Sequence, residues 1–222
     1  IKDKVSNKIQ FPKSRSAFLK PLISLAETNS KQIIQNHLSK KEKYSFAYDE
    51  LSKILKIDSI SRIDAFDISH QYMKQGVGSC VVFSETGASK KDYRLFNIPN
   101  DIAGNDVASI KHVIERRLKY YNNIKPDILL IDGGKAQLNF VINTLDEYDV
   151  KNILVLSIAK GRGRVRSAET IYTNKGILEI DPNSNSFKLL NEIRDESHRF
   201  AITASRRKIN KSNKLSSLDK IK

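Results

Sequence analysis

The stretch DILLIDGGK, residues 127–135, decides the fold of this chain of 222 residues. Its four consecutive apolar residues predict a buried strand, and the two glycines that follow predict where that strand ends. Apolar residues from Leu138 to Leu145 then recur at helical spacing. A buried strand followed at once by a helix is typical of sheets with parallel strands and helices on their faces.

The sequence on both sides supplies the other elements. Periodicity predicts strands at 63–69, 78–83, 93–98 and 153–158, a hairpin at 171–180, and helices at 107–121 and about 186–207. Short, turn-rich links join the first three strands, which favours an antiparallel meander. The order β-β-β-α-β-α-β-α predicts an α/β fold, an RNase H-like mixed five-stranded sheet flanked by helices. In that layout the fourth strand lies parallel beside the first.

Three segments are expected along the chain. Residues 1–60 carry a dozen basic side chains, two helical patterns and no strand signal, which predicts a basic helical lead-in. Residues 61–208 hold the RNase H-like domain. Residues 209–222 are polar and basic, and we interpret them as a linker.

The net charge of the chain indicates the class of its binding partner. The chain carries a formal charge of +14, with a pI near 9.7. Such an excess of cations favours a polyanionic partner, usually nucleic acid. No apolar run of 18 or more residues and no signal-peptide region is present, so we expect no membrane association and a cytoplasmic location. The single cysteine, Cys80, excludes an internal disulfide and a cysteine-rich zinc site.

Two carboxylates are placed where chemistry is expected. Asp67 lies within the first predicted strand, and Asp132 ends the fourth. If those strands are neighbours, the two like charges repel unless a cation sits between them. Oxygen ligands in a small site indicate Mg²⁺ or Mn²⁺. The alternative is that Asp67 bonds a neighbouring loop and that Asp132 opens a turn before glycine.

Other polar residues are weaker candidates. Asp106 opens the first core helix, where the helix dipole favours any acid. His198 lies on the last helix among charged neighbours, and it is as often structural as it is a metal ligand or proton carrier. Lys135 lacks the P-loop spacing but suits a phosphate contact at a helix N-terminus. Further candidate phosphate contacts are Lys160, Arg162, Arg164, Arg166, Arg194, Arg206 and Arg207.

These residues resemble a known family. The motifs FDISH at 66–70, SCVVF at 79–83, DGGK at 132–135, AKG at 159–161 and IRDESHRFAI at 193–202 are similar to those of the UvrC family, the incision subunits of bacterial nucleotide excision repair. The match runs in family order from about residue 10 to residue 220. The resemblance implies an RNase H-like endonuclease domain that cuts DNA on the 5′ side of a lesion.

The resemblance also implies residue roles and partners. The family's acidic residues fall on Asp67, Asp106 and Asp132, and its histidine falls on His198. Where the family shows two acids after a glycine, the first is Asn105 here. The implied partners are damaged double-stranded DNA and UvrB, with UvrA upstream. A GIY-YIG nuclease and a UvrB-binding segment would precede this region, and a helix-hairpin-helix module would follow it.

Two rival functions stay open on the sequence. One is another RNase H-like nuclease, such as a resolvase or an RNA–DNA hybrid nuclease. The other is a non-catalytic DNA-binding scaffold that recruits repair partners. A scaffold would be marked by a missing acid, and all the expected acids are present.

Overall fold

A computed structural model describes residues 19–69, 76–121, 124–159 and 169–218. Its helices are α1 (Leu19–Leu55), α2 (Asp106–Leu118), α3 (Lys135–Glu147) and α4 (Asn185–Leu218). Its strands are β1 (Arg62–Ser69), β2 (Val77–Ser84), β3 (Gly87–Ala88), β4 (Arg94–Asn97), β5 (Ile128–Asp132), β6 (Leu154–Ala159), β7 (Thr170–Thr173) and β8 (Gly176–Ile177).

The sheet confirms the predicted RNase H-like arrangement. Its order is β3-β2-β1-β5-β6-β7-β8, with β4 also paired to β2. β1 and β2 are antiparallel, whereas β1, β5 and β6 run parallel to one another. The first and fourth predicted strands are therefore neighbours, as the crossover rules require.

The sheet is wider than the five strands expected. The third predicted strand, at 93–98, corresponds to β4, and a further two-residue strand, β3, lies before it across a 3₁₀ turn at Lys90–Asp92. The two strands pair with opposite ends of β2. On the other side, the β7–β8 hairpin adds to the edge of β6. An added hairpin covers backbone groups that an exposed edge would leave unpaired.

Two hydrophobic cores sandwich the sheet. The first joins Ile63 and Ala65 of β1 to the inner face of α4 and to residues 44–51 of α1. The second joins Phe66 of β1 to α2 and α3. The alternation follows the pleat, because successive side chains of a strand point to opposite faces. The four apolar residues of β5 are all buried, as a central parallel strand requires.

Close packing of α2 on β2 depends on one glycine. A Cβ added at Gly78 would lie 2.3 Å from Cγ2 of Val113 on α2. Only glycine leaves room for the helix at this end of the sheet.

The chain divides into two compact units, Ile1–Glu42 and Lys43–Lys222. In the first unit, α1 exposes several large apolar side chains: Leu22, Leu25, Ile33, Ile34 and Leu38. In the second unit, Tyr44, Tyr48 and Leu51 belong to the core. The two helical patterns predicted before residue 60 form one continuous helix. The domain boundaries at residues 60 and 208 stay predictions.

α4 continues past Arg207, where the sequence predicted its end, and runs to Leu218. The reason is local, because residues 201–218 contain neither glycine nor proline to stop a helix. No helix in the described ranges is both long and apolar enough to cross a membrane.

Candidate metal centre

Strand register brings Asp67 and Asp132 together. Phe66 of β1 is paired with Ile131 of β5, so the next residue on each parallel strand is an aspartate. Both aspartates follow the alternation that points side chains towards α4. The predicted meeting of the two carboxylates at one edge of the sheet is therefore what the backbone imposes.

α4 delivers a histidine to the same place. Nδ1 of His198 lies 3.0 Å from Oδ2 of Asp67. The helix is fixed here because the Ser79 hydroxyl donates to the carbonyl of Ser197 at 3.1 Å, and Ser79 is the β2 partner of Asp67. A neutral imidazole with its hydrogen on Nδ1 donates to Asp67 and keeps the Nε2 lone pair for a ligand or a proton.

The three side chains form a donor set that fits a divalent cation. One ligand atom from each of Asp67, Asp132 and His198 lies within 4.8 Å of the other two. The Asp67 side chain is 8% exposed, whereas the His198 side chain is 46% exposed, so the cluster is anchored in the sheet and open to a substrate. Two carboxylates and an imidazole suit Mn²⁺ and are compatible with Mg²⁺.

Asp106 lies outside this cluster. Asn105 is the N-cap of α2, and its side-chain oxygen accepts a hydrogen bond from the backbone N–H of Ala108. Asp106 follows in the first helical turn with an exposed side chain. The asparagine at the family's first acidic position therefore acts as a helix cap, and a catalytic role for Asp106 stays a prediction.

The predicted phosphate contacts are only partly within the described residues. Lys135 is exposed in the first turn of α3, three residues after Asp132. Arg206 and Arg207 are exposed on α4. The remaining basic candidates, Lys160, Arg162, Arg164 and Arg166, fall outside the described residues. DNA binding by these side chains stays a prediction.

Arg194 is differently placed. Its side chain is 7% exposed, and its guanidinium is held by Glu169 and, at 2.6 Å, by Asp195. Burial alone would lower the pKa of Arg194, but the hydrogen bonds that its guanidinium donates to Asp195 and Glu169 outweigh burial and raise the pKa. A guanidinium that is buried and already paired is poorly placed to contact a phosphate, and DNA binding by Arg194 stays a prediction.

The sequence reasoning missed a buried ion pair on the opposite face of the sheet. Asp64 is fully buried, and it accepts hydrogen bonds from Arg62 at 2.6 Å, Arg117 at 2.8 Å and Tyr121 at 2.9 Å. Burial and the Asp64 charge raise the pKa of Tyr121. The sequence did contain a signal for this second carboxylate site, because Asp64 and Asp67 are three residues apart and must point to opposite faces of a strand.

Comparisons with known proteins point to the same family as the sequence motifs. A family model described as the UvrC RNAse H endonuclease domain matches residues 52–202. UvrABC system protein C of Coxiella burnetii (strain CbuK_Q154) is 37% identical over 206 residues, which cover 90% of this chain and 34% of that protein. UvrABC system protein C of Pseudomonas putida is 37% identical over 206 residues, which cover 89% and 33%.

The chain thus spans about a third of the length of these curated relatives. Among solved structures, the catalytic domain of human endonuclease V has a TM-score of 0.40 and 16% identity, covering 70% of this chain and 85% of that one. That likeness is too remote to add to the assignment. The family model covers most of the folded unit, including both aspartates and the histidine, and the chain belongs to the UvrC RNase H endonuclease domain family.

Proposed function

We propose that this chain is a divalent-metal-dependent endonuclease that hydrolyses a DNA phosphodiester bond on the 5′ side of a lesion in nucleotide excision repair. The observation that carries the proposal is the cluster of Asp67, Asp132 and His198 at an open edge of the sheet. An endonuclease family and a metal-competent acidic cluster are independent supports for the same chemistry.

The residue roles follow from position. Asp67 and Asp132 hold the cation, Mg²⁺ or Mn²⁺, and Asp67 also orients the imidazole of His198 through the 3.0 Å contact. His198 either completes the ligand set or carries a proton to or from the reacting oxygens. Asp106 lies outside the cluster, and the role proposed for it, to complete or position the site, comes from the family resemblance. When bound, a divalent cation supplies Lewis-acid activation of water and charge stabilisation at the leaving oxygen.

The net charge of the chain and the names of its relatives support DNA as the substrate. The net charge of +14 and the exposed Lys135 near Asp132 suit a phosphate backbone. The relatives are named for the UvrABC system, so we propose damaged double-stranded DNA as substrate and UvrB as direct partner, with UvrA acting upstream. The cytoplasmic location expected from the sequence is part of this proposal.

Incision assays test the proposal. The wild-type chain and Asp132→Asn are incubated with lesion-bearing duplex DNA, with UvrA and UvrB, in Mg²⁺ or Mn²⁺ and in chelator. We expect metal-dependent cutting 5′ to the lesion that Asp132→Asn abolishes, because the substitution removes a ligand charge with little change in volume. Asp146→Asn is the matched control, since Asp146 is an exposed carboxylate on α3.

The same assay separates the rival functions. Cutting of an RNA–DNA hybrid in preference to lesion-bearing duplex would identify another kind of RNase H-like nuclease. Binding of damaged DNA without any metal-dependent cutting would identify a scaffold. An Asp132→Asn variant that cuts at the wild-type rate would remove the cluster from the mechanism.

A further inference from the structure

A groove of about 410 Å³ lies between β4 and α4, and its lining does not include Asp67, Asp132 or His198. Six of its lining residues decide what it can bind: Lys90, Tyr93, Leu95, Arg199, Phe200 and Arg207. Only Arg207 among them was a candidate DNA contact from the sequence, and no comparison assigns the groove a role.

Strand register places the groove beside the metal centre. Asp67 pairs with Ser79, and Ser79 pairs with Leu95, so these residues share one face of three adjacent strands. Two strand spacings separate Asp67 from Leu95, which is about 10 Å. His198 and Phe200 are two residues apart on α4 and so point about 200° apart, towards opposite flanks. The groove therefore lies along the flank of α4 opposite to the flank that carries His198.

The floor of the groove is apolar and ordered. The rings of Tyr93 and Phe200 pack edge to face with centroids 5.1 Å apart. The Tyr93 hydroxyl donates to Glu196 at 3.1 Å, which fixes the ring. Leu95 leaves 48% of its surface exposed next to them. Apolar surface that stays open beside two anchored rings suits a ligand with flat or apolar groups.

The rim of the groove carries positive charge. Arg199 is compensated, because both oxygens of Glu196 accept from its guanidinium at 2.6 and 2.8 Å. Lys90 and Arg207 form no salt bridge with any described residue. Two cations without a salt bridge to a described residue thus stand beside an apolar, aromatic floor.

We propose that this groove binds an unpaired DNA strand close to the bond that is cut. Cations beside aromatic and apolar surface are the combination with which proteins hold single strands, since phosphates contact the cations and exposed bases contact the floor. A duplex keeps its bases stacked inside and offers the floor nothing apolar to contact. The separation of about 10 Å from Asp67 keeps the bound strand within a few nucleotides of the bond that is cut. This inference rests on the proposed function and adds a strand-binding subsite to it.

Salt-dependent binding tests the groove. Affinity of the full chain for a labelled oligothymidylate and for a hairpin duplex is measured without metal over a series of salt concentrations. For Lys90→Ala with Arg207→Ala, we expect the slope of log affinity against log salt for the single strand to flatten by about 1.4, at roughly 0.7 per phosphate. The matched control is Lys119→Ala with Lys175→Ala, which removes the same charge from exposed lysines elsewhere on the surface.

A second pair of variants tests the floor. Leu95→Asp places an anion in the groove and should weaken single-strand binding, whereas Leu95→Asn keeps the size without the charge and should weaken it less. An unchanged slope in the Lys90/Arg207 variant, an equal loss in the control pair, or a loss confined to the duplex would each overturn the inference. Failure of cutting is a separate result, because binding is measured without metal and does not require an active metal centre.

Discussion

Replacement of Asp67 by asparagine tests the metal centre without relying on incision alone. The carboxylate of Asp67 is buried, and its ligand atom lies within 4.8 Å of one on Asp132. Two unit charges 4.8 Å apart repel by about 3.5 kcal/mol at an effective dielectric constant of about 20. Asp67→Asn removes that repulsion and also weakens a charge-assisted hydrogen bond to His198, worth about 1.5–3 kcal/mol.

These opposing effects predict a small change without metal. In chelator, the melting temperature of Asp67→Asn should stay within a few degrees of wild type or rise. With metal the two proteins should diverge, because a cation at 100 times its Kd stabilises the wild type by about 2.7 kcal/mol. For a chain of this size that corresponds to about 5–10 °C, and Asp67→Asn should lose most of this rise.

The assay is a set of melting curves in chelator and in a series of Mn²⁺ concentrations, with single-turnover incision rates on the same preparations. Asp146→Asn serves as the control and should keep the metal-dependent rise. If Asp67→Asn keeps the full metal-dependent rise, the cation binds elsewhere and the site is wrongly placed. If the rise is lost but cutting continues at the wild-type rate, the cation at this site takes no part in catalysis.

Three further outcomes follow from the structure. His198→Ala should slow single-turnover cutting by about 10²–10⁴, while the melting temperature changes little. Asp195 has an exposed side chain on the same helix, and the Asp195→Ala variant should cut normally. Equal damage by the two substitutions would mean that the wrong face of α4 has been placed at the site. Asp64→Ala should lower the free energy of unfolding by about 3–5 kcal/mol in urea titrations, because it leaves the guanidinium of Arg117 buried without its carboxylate, and a loss below about 1 kcal/mol would show that the pair is dispensable. Burial raises the pKa of the Cys80 thiol, so alkylation of the native protein at pH 8 should be slow and should accelerate only on unfolding; rapid alkylation under native conditions would contradict its burial.

Local patterns predicted most of the helices and strands, but they missed features that depend on packing. The sequence predicted one strand at 93–98, yet a second strand, β3, forms before it and is only two residues long, which is too short to show a period. Residues 44–51 were predicted as part of the helical lead-in, and Tyr48 and Leu51 of that segment belong to the core beneath the sheet. The position of Tyr48 and Leu51 depends on packing partners distant in sequence, which periodicity does not report.

Charged residues show the same limit more sharply. Asp64 and Asp67 look alike in the sequence as acids within an apolar strand, but one pairs with Arg117 of α2 and the other faces His198 of α4. Arg194 looks like a surface cation on a helix, but the carboxylate of Glu169, the residue just before β7, pairs with it inside the protein. Whether a charge is structural or functional depends on which face it occupies and on what lies across from it.

The sequence by itself determined the α/β order of elements and the meeting of Asp67 with Asp132. Both follow from local periodicity together with the rule that the carboxyl ends of parallel neighbouring strands share an edge. Only the tertiary structure decided that His198 reaches Asp67 across 131 residues, that Asp106 lies outside the cluster, that Arg194 is buried, and that a basic groove opens behind α4. The reason is that these contacts depend on how one long helix lies across the sheet, which is set by packing in the first core rather than by any local pattern.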